Sequence, residues 1–359
     1  MKKKVSIVGT AGLPAAYGGF ETLAQNLVSN LGKDYDFTVF CKRTPPAKRL
    51  ANYLSSKLVY LPLHSNGWES LPYDVVSLLH AMATSEVVLY LGPVAGLVMP
   101  ANWIFRKKVI VNFGGLNEWE REKLHPLEKI YMQFSCLLCA KLATRVIADN
   151  HVLRKSIKKA FGVESTVIRY GGDHAVVQTN SSELATKYPF ANTEYYVSVA
   201  RAQVDNNIHV LIDAFKEVPD KKLVLISNWQ VSKYGCEMYE KARNVPNIVA
   251  LPAIYNSTEI DYIRARASGY IHSHSCCGTA PSLVEAICLG LPVISWDVPT
   301  NHETTKEKAL YFDSKERLVE IIRRISQDDL NELRNEMASL INEEYSWGHI
   351  SKQYAEIFE

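Results

Sequence analysis

Residues 269–303 read GYIHSHSCCGTAPSLVEAICLGLPVISWDVPTNHE, and this stretch decides the fold. An apolar strand over 270–272 leads into a loop of small polar residues, a helix covers 281–289, and a second strand covers 292–296. Pro281 suits the first helical turn because it has no N–H to lose there. Thr279 is placed to cap that end, and Gly290 to close the helix in a left-handed conformation. Leu283, Ala286 and Ile287 share one helical face, while Ser282 and Glu285 point elsewhere. The pattern is a β-α-β unit, the building block of a parallel sheet.

Gly278, Thr279 and Ser282 belong to a loop that opens a helix at the carboxyl end of a strand. Backbone N–H groups and the helix dipole favour an anion such as a pyrophosphate there. Glu285, one turn in, is placed to accept hydrogen bonds from the vicinal hydroxyls of a ribose. The combination suggests a sugar-nucleotide pocket. A capped helix carrying a solvated glutamate is the plainer reading of the same spacing.

Residues 278–303 resemble the donor-binding signature of the retaining glycosyltransferases of GT-B fold. More narrowly, they resemble the bacterial rhamnosyltransferase branch of glycosyltransferase family four. That branch carries a GGT-x-PSLLEA-like segment followed by PVI-x-x-DVP-x-N-x-E, and this chain has GTAPSLVEA and then PVISWDVPTNHE. The resemblance implies an α/β protein of two Rossmann-like domains, each with a parallel sheet, and a cleft between them. It also implies glutamates at positions 277 and 285, the first near the transferred sugar and the second on the ribose. Glu285 matches, but Cys277 stands at the first position, so that carboxylate is missing.

With 359 residues the chain suits two domains, and at 47% hydrophobic and 22% charged residues it has the composition of a globular protein. A net charge of +2 argues against a nucleic-acid partner. The seven cysteines form no disulfide framework, and Lys2 to Lys4 run directly into a strand without a signal-like apolar region. A cytoplasmic location is expected. Cys136 and Cys139 have zinc-knuckle spacing but sit in an apolar helical run without a second pair, which reads as core. Residues 87–105 approach membrane-span length, yet Gly92, Pro93, Gly96 and Pro100 break them into a buried strand and a short helix.

From the amino terminus, a strand over 4–9, a Gly/Ala-rich loop and a helix over 20–31 make a first β-α step. The glycines are wrongly spaced for G-x-G-x-x-G, which disfavours NAD. Gly18 and Gly19 let backbone approach a ligand at a helix start, and 17–22 is similar to the YGGFET segment of the rhamnosyltransferase branch. That resemblance makes Gly18 and Gly19 donor-binding candidates and Glu21 a candidate for the acceptor or sugar.

Further strands are expected at 37–41, 58–63, 87–92, 109–112, 145–149 and 166–173, alternating with helices. NFGGLNEWER, 112–121, lies at a strand end where a DG-x-EW-like segment occurs in the branch. Glu118 and Trp119 are carried over, and Gly114 stands nearest the Asp. Glu118 is the candidate carboxylate to orient or deprotonate an acceptor hydroxyl, and Trp119 an acceptor contact. Arg106 to Lys108 with Arg154, Lys155, Lys158 and Lys159 offer a cationic face, which is either simply solvated or drawn to anionic headgroups.

The domains are set at 1–173, 174–340 and a terminal helix, 341–359, that by resemblance crosses back to the first domain. In the second domain a strand over 195–201 ends at Arg201. The resemblance makes Arg201 the diphosphate ligand and stabiliser of leaving-group charge, while Asn206 stands where the wider family has a Lys. The loop at Ile254 and Tyr255 lies where such folds receive the nucleobase, and Asp297 and Asn301 are candidates to face the sugar. His272, His274 and His302 lack metal-site spacing, and neither metal nor cofactor is expected.

The implied activity is transfer of L-rhamnose from dTDP-rhamnose, with retention, to a saccharide acceptor. That acceptor belongs to a surface polysaccharide, and the further expectation is a lipid-linked intermediate with peripheral contact at the inner membrane face. Without a carboxylate at Cys277, front-face attack is expected. The rivals are a UDP- or GDP-sugar donor, a nucleotide-sugar epimerase, and a catalytically silent nucleotide-binding scaffold.

Overall fold

Short β-branched and apolar runs, each ending in Gly, Pro or a polar cluster, become parallel strands, and the amphipathic stretches between them become crossover helices. The structure, a computed structural model, describes residues 2–15, 18–116, 125–178, 181–276 and 278–359. The chain divides into two compact units: residues 1–170 with 347–359, and residues 171–346.

The first unit contains β1 (Lys3–Val8), α1 (Gly19–Leu31), β2 (Tyr35–Cys41), β3 (Asn52–Tyr53), β4 (Ser56–Tyr60), α2 (Ser70–Thr84), β5 (Val87–Leu91) and α3 (Asn102–Phe105). It continues through β6 (Lys108–Phe113), α4 (Pro126–Leu142), β7 (Arg145–Ala148), α5 (His151–Phe161) and β8 (Thr166–Val167). Among the described residues these strands form one sheet in the order β3-β4-β2-β1-β5-β6-β7-β8, parallel except for the β3–β4 pair. Val88, Tyr90, Val109 and Val111 build its core with Cys136 and Cys139, so those thiols serve packing.

The second unit holds α6 (Ser182–Lys187), β9 (Tyr196–Val199), α7 (Ile208–Lys216), β10 (Leu223–Ser227), α8 (Lys233–Arg243), β11 (Ile248–Pro252) and α9 (Ser257–Ala265). Then come β12 (Gly269–His272), α10 (Pro281–Cys288), β13 (Val293–Trp296), α11 (Pro299–Thr305), β14 (Leu310–Phe312), α12 (Lys315–Arg324), α13 (Gln327–Ser339) and α14 (Ile341–Glu344). The sheet order is β11-β10-β9-β12-β13-β14, all parallel. Ile271 pairs with Ile294, and both are fully buried beneath α7 and α12.

The last helix, α15 (Trp347–Phe358), belongs to the first unit. Phe358 packs edge-on against Tyr35 and Phe37 with ring centroids at 5.4 and 6.3 Å. Asn30 Nδ2 donates to Ser351 Oγ at 3.1 Å.

The unit breaks fall at 170/171 and 346/347, where the sequence reading set 173/174 and 340/341. Gly172 explains the first difference: its N–H donates to the Tyr345 carbonyl at 2.9 Å, and a Cβ there would lie 2.8 Å from the Val284 carbonyl oxygen. The second has the same cause, because Tyr345 donates its hydroxyl to the Thr304 carbonyl and stays with the second unit. The strand expected over 166–173 is only Thr166–Val167. Among the described residues no helix is long and apolar enough to cross a membrane.

Candidate functional site: a charged pocket at the carboxyl ends of the second sheet

The β-α-β unit of 269–296 forms as its pattern requires, with Pro281 at the first turn of α10 and Gly290 at φ 66° just beyond its end. The capping residue differs. Ala280 is the N-cap and no side chain caps the helix, so Thr279 does not have that role; it is buried in the loop. Ser282 hydrogen-bonds to the Tyr270 phenol below it. Gly278 follows directly on Cys277, which lies outside the described residues.

Glu285 is not a solvated glutamate. One carboxylate oxygen is ion-paired with Arg264 Nη1 of α9, and the other lies 3.2 Å from His174 Nε2. Arg264 is itself buried, and its Nη2 meets Asp261 Oδ1 at 2.6 Å. Burial alone would raise the Glu285 carboxyl, but the Arg264 guanidinium, helped by His174, holds it down at about 2. A carboxylate offers about four acceptor positions, so two such partners leave room for two hydroxyl donors. The sequence reading found Glu285 and missed Arg264, Asp261 and His174, because nothing in their spacing pairs them.

Arg201 is exposed beyond β9, and the loop after it is stitched to the loop after β12. Ser273 Oγ donates to the Asn206 carbonyl at 2.5 Å, Asn207 Nδ2 to the Ser273 carbonyl at 3.0 Å, and Ser275 N to the Asp205 carbonyl at 3.0 Å. Asn206 is buried with its amide turned onto the Arg201 carbonyl at 2.8 Å. It fixes the loop and is not presented as a ligand.

The stitching sets Arg201 beside His274. That ring packs on His272 with centroids 4.2 Å apart, and His272 stacks on Tyr270. Both nitrogens of His272 and Nε2 of His274 are buried without a hydrogen-bond partner among the described residues. Burial and the Arg201 charge hold His274 down at about 3, so its imidazole is neutral at physiological pH. Orphaned buried nitrogens of this kind call for a ligand or another functional explanation.

Asn301 sits on α11 and is 1% exposed. Its Nδ2 donates to the carbonyls of His274 and Trp296 at 3.1 and 3.0 Å, which ties α11 to the His274 loop. The segment read as a turn is a short helix started by Pro299. Asp297 is half exposed and contacts His302 Nε2 at 2.8 Å, while His302 Nδ1 is paired with Glu307. Among the described residues no group of three or more His, Cys, Asp or Glu is arranged to hold a metal.

In the first unit, Gly18 is the N-cap of α1 at φ 103°, and a Cβ there would lie 2.3 Å from Glu21 Oε2. Glu21 is buried and accepts the Ala11 N–H at 2.6 Å, locking the loop after β1 against α1. Burial keeps its carboxyl above the usual range. Gly19 is the first residue of α1. A Cβ at Gly114 would approach Phe20 Cζ to 2.8 Å and Asp149 Oδ2 to 3.7 Å. Asp149 is buried, and desolvation raises its carboxyl to about 7. Glu118 and Trp119 lie outside the described residues.

Residues 2–173 match a domain of unknown function (DUF1972), and residues 181–343 match glycosyl transferases group 1. A curated relative, the O-antigen chain mannosyltransferase RfbU of Salmonella typhimurium, is 24% identical over 197 residues. That match covers 52% of this chain and 52% of the relative, so the chain spans about half the length of the curated relative it matches. Among solved structures, sucrose-phosphate synthase (tll1590) from Thermosynechococcus elongatus has a TM-score of 0.83 at 15% identity, covering 99% of this chain and 98% of that one. Anabaena Alr3699/HepE in complex with UDP and glucose has a TM-score of 0.78 at 15% identity, covering 99% of each chain. The fold is therefore the two-sheet α/β architecture of GT-B glycosyltransferase structures, and its second half, residues 181–343, is similar to glycosyl transferases group 1.

Proposed function

We propose that the protein is a retaining glycosyltransferase that moves L-rhamnose from dTDP-rhamnose to a saccharide hydroxyl of a lipid-linked surface-polysaccharide intermediate, at the cytoplasmic membrane face. The observation that carries this reading is the Glu285 carboxylate, kept ionised by Arg264 and His174 one turn into the helix that opens after the Gly278–Ser282 loop. In this reading Glu285 accepts the two ribose hydroxyls. Gly278, Thr279 and Ser282 offer close backbone and hydroxyl contacts to the diphosphate, Arg201 provides charge, and His274 adds a neutral N–H donor where Asn206 provides none.

In the first unit, Gly18 and Gly19 admit donor phosphates close to backbone, Glu118 orients the acceptor hydroxyl, and Trp119 is an acceptor contact. No metal takes part. Attack comes from the face the leaving group departs, because Cys277 supplies no carboxylate nucleophile. Rhamnose rests on the sequence resemblance, and polysaccharide assembly is supported by the O-antigen relative. A UDP-sugar donor is the second reading, favoured by the UDP and glucose bound to the HepE relative.

The test is thermal stabilisation by dTDP, UDP, GDP and NAD, followed by radiolabelled sugar transfer from the preferred donor. A ligand at a hundred times its dissociation constant adds about 2.7 kcal/mol. Preferential stabilisation by dTDP, lost in Glu285→Ala and reduced in His274→Phe, is expected. Preference for UDP or GDP would replace the donor, isomerisation without transfer would make the protein an epimerase, and binding without turnover a scaffold.

A further inference from the structure

The first unit carries a concentration of exposed large apolar side chains that the reaction does not use. The chain between β5 and β6 presents Leu97, Trp103 and Ile104, the last two 73% and 81% exposed. Along one side of α4, Leu127, Ile130 and Phe134 are also exposed, at i, i+3 and i+7 spacing. The two segments pack directly on each other. Gly96 N donates to Ser135 Oγ at 2.7 Å, Tyr131 donates its hydroxyl to the Val94 carbonyl at 2.8 Å, and a Cβ on Gly96 would lie 2.1 Å from the Ser135 carbonyl oxygen.

The tip is built to hold its shape. Asn102 Oδ1 accepts the Lys107 N–H and its Nδ2 donates to the Lys107 carbonyl, both at 2.9 Å. Arg106, in the left-handed conformation, closes α3. Trp103 and Ile104 are thereby fixed in water at the end of a pinned turn, and an apolar grouping of this kind marks an interaction site.

Charge indicates what covers it. Residues 93–116 contain no Asp or Glu, and Arg106, Lys107 and Lys108 follow immediately on Trp103, Ile104 and Phe105. On α4, Lys129 neighbours Ile130, and the acidic Glu128 is engaged in the capping box, its Oε2 accepting the His125 N–H at 2.9 Å. Trp and Ile beside a run of cations match the interface of an anionic bilayer, where the ring sits at headgroup depth and each nearby Lys or Arg adds attraction. A second copy of the chain fits less well, because a two-fold contact would set these cations against themselves.

We infer that Leu97, Trp103, Ile104, Leu127, Ile130 and Phe134, with Arg106 and Lys107, form the surface by which this protein docks on an anionic lipid membrane. The inference takes its setting from the lipid-linked acceptor proposed above, but its test does not depend on that reading.

The test is cosedimentation of the full chain with phosphatidylcholine vesicles, with and without one part in three of phosphatidylglycerol. The wild type is expected to sediment with the anionic vesicles. Trp103→Ser/Ile104→Ser should lower that partition roughly tenfold or more, as expected for withdrawing two large apolar side chains from lipid. Arg106→Ser/Lys107→Ser should lower it roughly fivefold per charge on anionic vesicles and leave neutral ones unchanged. All four residues are at the surface, and melting curves with and without dTDP check each variant's fold and nucleotide site separately. A wild type that ignores anionic vesicles, or a Trp103/Ile104 variant that binds them undiminished, overturns the inference. Self-association that disappears in that variant, without vesicle binding, assigns the face to a second copy instead. Loss of the dTDP effect with vesicle binding intact would overturn the donor reading and leave this surface standing.

Discussion

Replacing Arg264 by Met tests the electrostatic reading of the pocket most directly. The substitution keeps an unbranched stem in the buried site and removes the guanidinium that holds Glu285 and Asp261. Two estimates of the cost converge. Holding Glu285 at about 2 against an ordinary 4.5 is worth about 3 kcal/mol, and breaking a buried ion pair by removing one partner costs about 3–5 kcal/mol. For a unit of this size each kcal/mol moves the melting temperature by about 2–4 °C, so the second unit should melt roughly 6–20 °C lower at neutral pH. The pH dependence fixes the cause. In the wild type Glu285 has a depressed pKa, so its contribution is complete above 4.5 and disappears as pH falls through about 2. In Arg264→Met burial is opposed by His174 alone and the carboxyl titrates higher, so the deficit is largest at neutral pH and narrows under acid. Calorimetry of both proteins from pH about 7 to about 3 measures this directly. A melting shift below about 2 °C, or a deficit that does not change with pH, would refute the argument.

Two other substitutions probe the first unit. Phe358→Ala removes a fully buried ring that α15 packs against Tyr35 and Phe37; it should cost about 3–5 kcal/mol, read from the denaturant midpoint of that unit. Asp74, buried on α2, is raised by desolvation from 3.8 to about 7, so its charged form opposes folding. The stability it permits is complete below 3.8 and is lost as pH rises through about 7. Asp74→Asn should flatten that window and be more stable near pH 8, by at most about 4 kcal/mol; equal slopes in urea titrations across the range would contradict the assignment.

What the sequence made legible was local. Pro281 and Gly290 punctuate α10, and the apolar runs on either side have no alternative to parallel strands, so the β-α-β unit could be read from 269–296 alone. The sequence reading sets the boundary at 173/174, because Gly171 and Gly172 look like the end of a strand. Only the contact of Gly172 with Val284 and Cys288 shows that they belong to the second unit. The terminal helix was set to start at 341, because the tie from Tyr345 to Thr304 spans a stretch that no periodicity records.

Charge state was the least legible property of the site, and it is the one the chemistry depends on. Glu285 could be picked out as a carboxylate one turn into a helix, but whether it is ionised is decided by Arg264 on another helix and His174 near the unit boundary. His274 makes the same point with the opposite sign. Its spacing from His272 is that of strand and loop neighbours and signals nothing. Its neutrality comes from burial and from Arg201, brought alongside by the Ser273–Asn206 and Ser275–Asp205 hydrogen bonds. An imidazole kept neutral beside a cation can donate one hydrogen bond without adding charge. A diphosphate bound there would meet one guanidinium and one neutral donor instead of two cations, so it would be held by geometry as much as by charge. Replacing Asn206 by Lys should therefore do more than strengthen binding. It would release the amide that pins the Arg201 carbonyl, and the loop that places both groups would be loosened with it.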